Sequence, residues 1–512
     1  MYLLGIDVGT SGCKAAAFTP EGGMVALVQA EYAEYSPKPG WIELNVNEVW
    51  DKVKACTRSV VRTCSDRINA VALSVLGEAV LPVDRYGACL YPAITAYDAR
   101  EQGYRALLQW WDEKLGPTRI YSITGVPLNS MPSVHKIQWI RDNLPEVYRR
   151  AWKFVCVEDF LIYKLTGETV ISYPLAARTM MMDIRKKRWA HEILDLADLD
   201  EDKLSTPTQS GNVVGEVGSE AAEETGLATG TEVVAGGHDQ SCAALGVGVT
   251  DEGPIMDSTG TVECIGVAVK EPVLTQQMLK AGHGWYCHTV KDRYLSLGFF
   301  PSAGIILRWY RDNFAEKEKE LAAEEGRDVY DVLTDVASTS PPGAAKLLLL
   351  PHFVGSGTGK QPILNMNSRG AFVGLSVFHR KSDIIRAILE GITFELRQLI
   401  ETFERCGVCI SELRSIGGGA KSPFWLQLKA DVTNKRIVAP NITEAATLGA
   451  ALLAGIGVGA FKDCYEAVAK VYREKSVYQP NPANFTLYSK QYEVYKEVYP
   501  ALVHVYEKLA LL

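Results

Sequence analysis

LLGIDVGTSGCKAAAF, residues 3–18, sets two apolar runs on either side of a short turn rich in glycines and hydroxyls. Leu3 to Val8 carries the carboxylate Asp7 near its end, Gly9-Thr10-Ser11-Gly12 turns the chain, and Lys14 to Phe18 brings it back. Runs of this kind bounded by turn residues read as a β-hairpin. Working outward, Glu21-Gly22-Gly23 makes a second turn before a third strand at Met24 to Val28. Val46, Val49, Trp50, Val53, Val60, Val61 and Cys64 then recur at three-to-four spacing, which predicts an amphipathic helix with Asn47 near its start. A buried strand follows at Ile68 to Val75. Hairpin, strand, helix and strand in this order imply a mixed sheet covered by helices, an α/β fold.

The opening recurs. Ile255-Met256-Asp257-Ser258-Thr259-Gly260-Thr261 again puts an aspartate near the end of a strand, before a Gly and Thr turn and a returning apolar run, and reads as an internal duplication. Helical patterns at Ser382 to Phe403 and Ser422 to Thr433, a strand at Leu413 to Ile416 and a helix from Thr443 onward complete the second half. Two related lobes, 1–250 and 251–475, are therefore expected to meet at a central cleft, where small ligands bind. Past residue 475, Pro480, Asn481 and Pro482 break the pattern. Tyr488, Tyr492, Tyr495, Tyr499 and Tyr506 then fall at helical spacing, so 476–512 reads as a helical extension packed on the lobes. Ile384, Ile388 and Ile392 suit either the core or a homodimer interface.

Composition excludes some classes of function. The 512 residues exceed one core at ~100–200 residues per domain. A net charge of −8, with Arg185-Lys186-Lys187-Arg188 as a single basic run, argues against a nucleic-acid surface. MYLLGIDVGT has no basic leader, so a cytoplasmic protein is expected. The longest uncharged stretch, Ala445 to Phe461, is shorter than the ~20 apolar residues that span a bilayer, which argues against a membrane role. Its Gly and Ala content suits a tightly packed interior helix. The CxxC at Cys406 and Cys409 has no second pair to complete a zinc site, and scattered cysteines fit reduced thiols.

The turn DVGTSG, residues 7–12, offers backbone amides freed by glycines, two hydroxyls, the nearby Lys14 and a carboxylate. It is either an ordinary hairpin turn or a nest for phosphate oxygens, with Asp7 holding Mg2+ directly or through water. DSTGT, residues 257–261, would face it across the cleft and grip a polyphosphate from the other lobe. Ile416-Gly417-Gly418-Gly419-Ala420-Lys421-Ser422 is a tight turn between strand and helix, or a place where a flat ring or a phosphate approaches the backbone. Gly355-Ser356-Gly357-Thr358-Gly359-Lys360-Gln361 fails as a P-loop, because Val354 and Gln361 stand where Gly and Ser or Thr are required.

GGHDQSC, residues 236–242, admits three readings. Ser241 or Cys242 could be a nucleophile with His238 as base, although such groups usually come from separated segments. Asp239 could cap a helix that starts at Gln240. Asp239 could also accept the proton of a substrate hydroxyl, the glycines letting that hydroxyl come close. A carboxylate near 3.9 is a weak base for an alcohol, but phosphoryl transfer needs the proton removed only late.

Two long segments carry a resemblance to the FGGY carbohydrate kinases, relatives of hexokinase and actin. They are Met131-Pro-Ser-Val-His-Lys136-Ile-Gln-Trp139-Ile-Arg-Asp-Asn143, and Gly370-Ala-Phe-Val-Gly374-Leu375 through Asp383-Ile384 to Ala387-Ile388-Leu389-Glu390. The resemblance implies two ribonuclease-H-like lobes closing over ATP, Mg2+ and a sugar or polyol. Matched position by position, Asp7 would serve the metal, Thr10, Ser11 and Lys14 would lie near the transferred phosphate, and Asp239 would be the catalytic base beside Gln240. Thr259 and Gly304 would contact nucleotide phosphates, while Gly418, Gly419 and Ala420 would border the adenosine. Glu78 matches the acid of the glycerol-kinase Arg-Glu pair, with Gly77 in place of the arginine. Glu78, Asp98 and Arg100 are thus candidate sugar ligands, with an Asp98–Arg100 surface ion pair as the alternative. An ATP-dependent kinase of a ketose, xylulokinase-like, is expected. A polyol kinase and a silent nucleotide- and sugar-binding regulator are the other readings.

Overall fold

The computed structural model describes residues 1–360 and 365–512. The opening hairpin is formed by Tyr2–Val8 and Gly12–Phe18, with Asp7 opposite Lys14, and Met24–Glu31 extends it. On the other side of Tyr2–Val8 lie the parallel strands Ile68–Val75 and Glu232–His238, and Val213–Glu216 closes this sheet of six antiparallel to its neighbour. Helix Val46–Thr63 covers the hairpin side and buries Val46, Val49, Trp50, Val53 and Val60. Its cap is Asn45, whose side chain accepts the Asn47 N–H at 3.2 Å, two residues before the expected start.

The second half repeats this order strand for strand. Gly253–Thr259 and Glu263–Val269 form the hairpin and Tyr294–Phe300 extends it, while Ile410–Gly417 and Arg436–Pro440 lie parallel and Glu474–Tyr478 closes antiparallel. Trp285–Cys287 adds an outer strand. The duplication extends to single hydrogen bonds. Ser74 Oγ donates to Asp7 at 2.6 Å, and Ser415 Oγ donates to Asp257 at 2.5 Å, each from the parallel strand beside the aspartate.

The lobes are joined by crossed helices. Asp239–Gly246 continues the last parallel strand of the first sheet, and Ala445–Gly457 follows the corresponding strand of the second but lies on the first lobe's sheet. Their backbones touch: a Cβ on Gly449 would stand 1.9 Å from the Cys242 carbonyl oxygen, and one on Gly246 2.0 Å from that of Ala445. In an open helix Gly→Ala stabilises by about 1 kcal/mol. Here the obstacle is backbone, which no rotamer change relieves, so Gly449→Ala is expected to destabilise by about 1–3 kcal/mol in urea denaturation. A stabilised variant would show that the crossing is looser than described.

The closing helix Pro482–Leu509 buries Tyr488, Tyr492 and Tyr495 around Phe394 of Lys381–Arg405, with ring centroids 5.1 to 6.3 Å from it. Their hydroxyls find partners, Tyr488 on Glu390 at 2.8 Å and Tyr492 on Glu401 at 3.0 Å. Ile388 and Ile392 are fully buried in the same core, so they form no subunit interface. Among the described residues no helix is long and apolar enough to cross a membrane. The loop with the failed P-loop pattern is stitched down. Thr358 N–H donates to the Phe299 carbonyl at 2.9 Å, Lys360 is buried against Glu395, and Gln361 lies outside the described residues.

Candidate active site

Asp239 owes its place to a bulge. The register of Glu232–His238 on Ile68–Val75 slips between Val234 and Gly237, and only glycine fits at 236, where a Cβ would lie 1.6 Å from the Leu73 carbonyl oxygen. The slip ends the strand at His238, and Asp239 opens the next helix with its carboxylate at the positive end of the helix dipole. His238, not Asp239, occupies the cap position. Asp239 Oδ1 accepts the Gln240 N–H at 2.6 Å and lies 3.1 Å from His238 Nε2. Burial and the nearby charge of Asp7 push the carboxyl up to about 7, with Arg178 pulling the other way. Burial and Arg178 hold His238 well below the usual imidazole range, so the ring is neutral.

The nucleophile reading does not survive. Cys242 is fully buried with its thiol pushed well above the usual range by that burial, and Ser241 Oγ lies 3.3 Å from His288 Nδ1, away from His238.

In front of Asp239 is a cavity of about 240 Å³ lined by Thr10, Glu78, Tyr97, Asn129, Arg178 and Tyr286, with His238 and Gln240 beside the base. Arg178 is ion-paired with Glu78, and its guanidinium lies 4.4 Å from the Tyr286 ring centroid. A guanidinium thus stands beside Glu78 from position 178, where Gly77 carries none. A Cβ on Gly77 would come within 2.7 Å of Arg178 Nε, so the glycine leaves room for it. Arg178 Nε and Nη1 and Gln240 Oε1 are buried with no hydrogen-bond partner among the described residues. Sequence reasoning missed Arg178, Tyr97, Asn129 and Tyr286. None belongs to a local pattern, and only the fold brings them together.

Asp98 and Arg100 stand elsewhere, which corrects their expected place at the sugar. Asp98 Oδ1 accepts from Arg100 Nε at 2.8 Å and from Tyr104 at 2.9 Å, and its Oδ2 accepts from Arg100 Nη2 at 2.9 Å and Ile42 N–H at 2.7 Å. Arg100 is sandwiched by Trp41 and Trp139 at 4.1 and 4.3 Å, and Asp98 and Arg100 are each 1% exposed. The pair is buried rather than on the surface, and it lines no part of the cavity.

Of the first turn, Thr10 lines the cavity and Ser11 is exposed at the tip. Lys14 is bound to Glu444 at 2.7 Å, because the first turn of Ala445–Gly457 packs beside it, and so it faces neither cavity. Burial raises the Asp7 carboxyl, opposed by the Ser74 hydrogen bond. Two carboxyls held near one another in this way, Asp7 and Asp239, suit a hard divalent cation that keeps most of its water and phosphate oxygens. Asp257, the counterpart in the second lobe, cannot take that role because the ammonium of Lys429 already sits on it at 2.7 Å.

A second cavity of about 510 Å³ is lined by Thr259, Gly260, Thr261, Gly304, Gly418 and Gly419, with Leu307, Tyr330 and Trp425 as apolar walls. Ala420 is half-buried behind it. The glycines bring three segments together: a Cβ on Gly304 would be 2.4 Å from the Gly260 carbonyl oxygen and one on Gly417 2.5 Å from that of Thr259. The turn at 259–264 touches both cavities, with Thr259, Gly260 and Thr261 in the larger and Val262 and Cys264 in the smaller.

A buried carboxylate at a small cavity, joined by one turn to a larger glycine-walled cavity in a duplicated two-lobed fold, is the layout of an enzyme that brings two ligands together. Residues 2–246 match the model of the FGGY family of carbohydrate kinases, N-terminal domain, and residues 256–458 match that of its C-terminal domain. The chain is 32% identical over 505 residues to a xylulose kinase of Lactococcus lactis, covering 97% of this chain and 96% of the relative. It is 31% identical over 471 residues to a gluconokinase of Bacillus subtilis, covering 91% and 90%. A ligand-bound xylulose kinase from Lactobacillus acidophilus superposes with a TM-score of 0.89 at 27% identity, covering 99% of each chain. The chain belongs to the FGGY family of carbohydrate kinases and is an ATP-dependent sugar phosphotransferase with the two-lobed actin- and hexokinase-like fold.

Proposed function

We propose that the chain phosphorylates a hydroxyl of a neutral ketose, a pentulose or hexulose, in the cytoplasm, with Mg2+ held at Asp7. The observation that carries this reading is Asp239 facing a small cavity of mixed lining whose one arginine is already neutralised by Glu78. Asp239 lines up the acceptor hydroxyl and takes its proton as the new P–O bond forms. The neutral His238 ring packs beside Asp239, its Nε2 3.1 Å from Oδ1. Glu78 accepts and Asn129, Arg178 and Gln240 both fix and sort sugar hydroxyls. The amides around Gly260 and Thr261 and the side chain of Thr259 support the polyphosphate in the larger cavity, where Gly418 and Gly419 let the base approach. Mg2+, when bound, neutralises phosphate charge. Closure of the lobes about the crossed helices excludes water from the base.

The relatives' names point to two kinds of substrate, a ketose and a sugar acid. An acid would bring a carboxylate to a cavity that already holds Glu78 and Asp239 against Arg178 alone, and like charges discriminate by repulsion. ADP release coupled to a reporter, with ATP and Mg2+ and a panel of ketoses, aldoses, polyols and sugar acids, tests the choice. A ketose is expected to exceed gluconate in kcat/KM by about tenfold or more, the factor that about 1.4 kcal/mol of discrimination supplies. Preference for gluconate or a polyol overturns the substrate class, and binding without phosphorylated product across the panel favours a silent regulator.

A further inference from the structure

Glu158, on helix Val157–Thr166, is fully buried, and among the described residues it has no ion-pair partner. Its Oε1 accepts the Gly236 N–H at 3.1 Å, and its Oε2 accepts from the Ser172 N–H at 3.0 Å and from Ser172 Oγ at 2.6 Å. Both contacts fall at decisive places. Gly236 lies in the bulge, where the slipped register takes its N–H out of the ladder, and Asp239 follows three residues later. Ser172 is the cap residue of Tyr173–Ala176, which runs directly into the turn Ala177–Thr179 that delivers Arg178 to the cavity. The Ser172 side chain makes no capping bond to its own helix and turns to Glu158 instead.

We infer that Glu158 is a positioning residue that sets the separation between Asp239 and Arg178, one carboxyl tying together the two backbone segments that carry them. The inference rests on the proposed roles of those two residues in acceptor binding. A packing role alone would be filled at lower cost by an apolar side chain, because a buried carboxyl without a cation must be desolvated. That cost is visible: burial raises the group to about 7 against the three hydrogen bonds that lower it. The carboxyl geometry is what the position uses, since two acceptor oxygens face three donors from two segments. Glutamine keeps one such oxygen, and leucine keeps none.

The test compares Glu158→Gln, Glu158→Leu and the milder Ser172→Ala in the full chain, alongside Asp239→Asn. Turnover with the best sugar, ADP affinity, thermal melting and the ratio of phosphorylated sugar formed to ADP released are measured for each. The expected result is a kcat loss of about ten- to hundredfold for Glu158→Leu, as for a base displaced by about 1 Å, with a smaller loss in Glu158→Gln and Ser172→Ala. ADP affinity should stay at the wild-type value, and the product ratio should fall because a misplaced acceptor lets water compete. Wild-type kcat and product ratio in all three folded variants overturn the inference, as does a loss that merely follows melting temperature or ADP affinity. If Glu158→Leu does not fold, Ser172→Ala and Glu158→Gln decide by the same criteria. Wild-type turnover in Asp239→Asn overturns the proposed reaction itself, whereas loss there with normal Glu158 variants overturns only the positioning role.

Discussion

Asp239→Asn is expected to lower kcat by about a thousandfold, within the range of removing a general base, while ADP binding stays close to wild type. The substitution keeps shape and the Gln240 N–H contact but cannot take a proton. The pH dependence has a definite sign. With its carboxyl at about 7 through burial first and Asp7 second, the free enzyme should lose kcat/KM as the pH falls below about 7. A saturating divalent cation at Asp7 removes the second cause and moves this acid limb lower. Stability runs the opposite way. A carboxyl whose folded value is raised above its unfolded value of 3.8 stabilises the native state only where it is protonated, and this is lost as the pH rises toward 7. Asp239→Asn should therefore melt above the wild type at pH 8, with a smaller gap at pH 5. Wild-type turnover in the variant, or a flat pH profile between 5 and 8, would remove Asp239 from the role of base.

The parts legible in the sequence are those that local chemistry forces. Asp7 and the turn at 9–12 form a hairpin because glycines and hydroxyls interrupt two apolar runs, and the same pattern at 257–261 reveals the duplication. Asp239 stands out as a carboxylate among glycines, but Gly236 serves the bulge against Leu73 and Gly237 packs against Thr289, and neither lines the cavity in front of it. The strands Ile68–Val75 and Leu413 to Ile416 are legible as apolar runs, but their register and neighbours are silent, since buried parallel strands carry no alternation to mark them. Arg178 reaches Glu78 across a hundred residues from the unremarkable run Ala176-Ala177-Arg178-Thr179, and nothing local announces it. Asp98 and Arg100 mislead for the converse reason. Two residues apart, they pair in the same way on a surface, at a sugar or in a core, and Trp41, Glu43, Tyr104 and Trp139 from other segments decide which. Lys429 is the most hidden of all, lying in the helical run Leu426-Gln427-Leu428-Lys429-Ala430, where its carboxylate partners are more than 160 residues away.

That lysine carries the second large effect. Lys429 Nζ donates to Asp257 at 2.7 Å, to Glu263 at 2.7 Å and to Thr259 Oγ1 at 2.5 Å, with all three charged groups at most 1% exposed. Burial would neutralise the amine, but the charge of Asp257 first, with the hydrogen bonds to Asp257 and Glu263, outweighs it and holds Lys429 above its ordinary value. Lys429 in turn outweighs burial at Asp257 and holds it low, while burial keeps Glu263 above its usual range. The Lys429 contribution is present below 10.5 and lost as the pH rises through its higher folded value. The Asp257 contribution is present above 3.8 and lost only as the pH falls through its lower folded value, so the Lys429–Asp257 pair is held together between these limits. Lys429→Met leaves a buried carboxylate without its cation and is expected to cost about 3–5 kcal/mol at pH 8, a large part of the roughly 5–15 kcal/mol that holds a typical domain together. Without the cation, burial raises Asp257, so the deficit should shrink toward pH 5, where the carboxyl takes a proton. ADP affinity should fall too, because Thr259 loses the donor that fixes its hydroxyl beside the larger cavity. Adding Asp257→Asn to Lys429→Met should recover part of the loss, since it removes the stranded charge. Urea denaturation at pH 5 and 8 with ADP titrations reads all three effects. A loss below about 1 kcal/mol, or one equal at both pH values, would show that Lys429 does not carry the charge balance beneath the nucleotide turn.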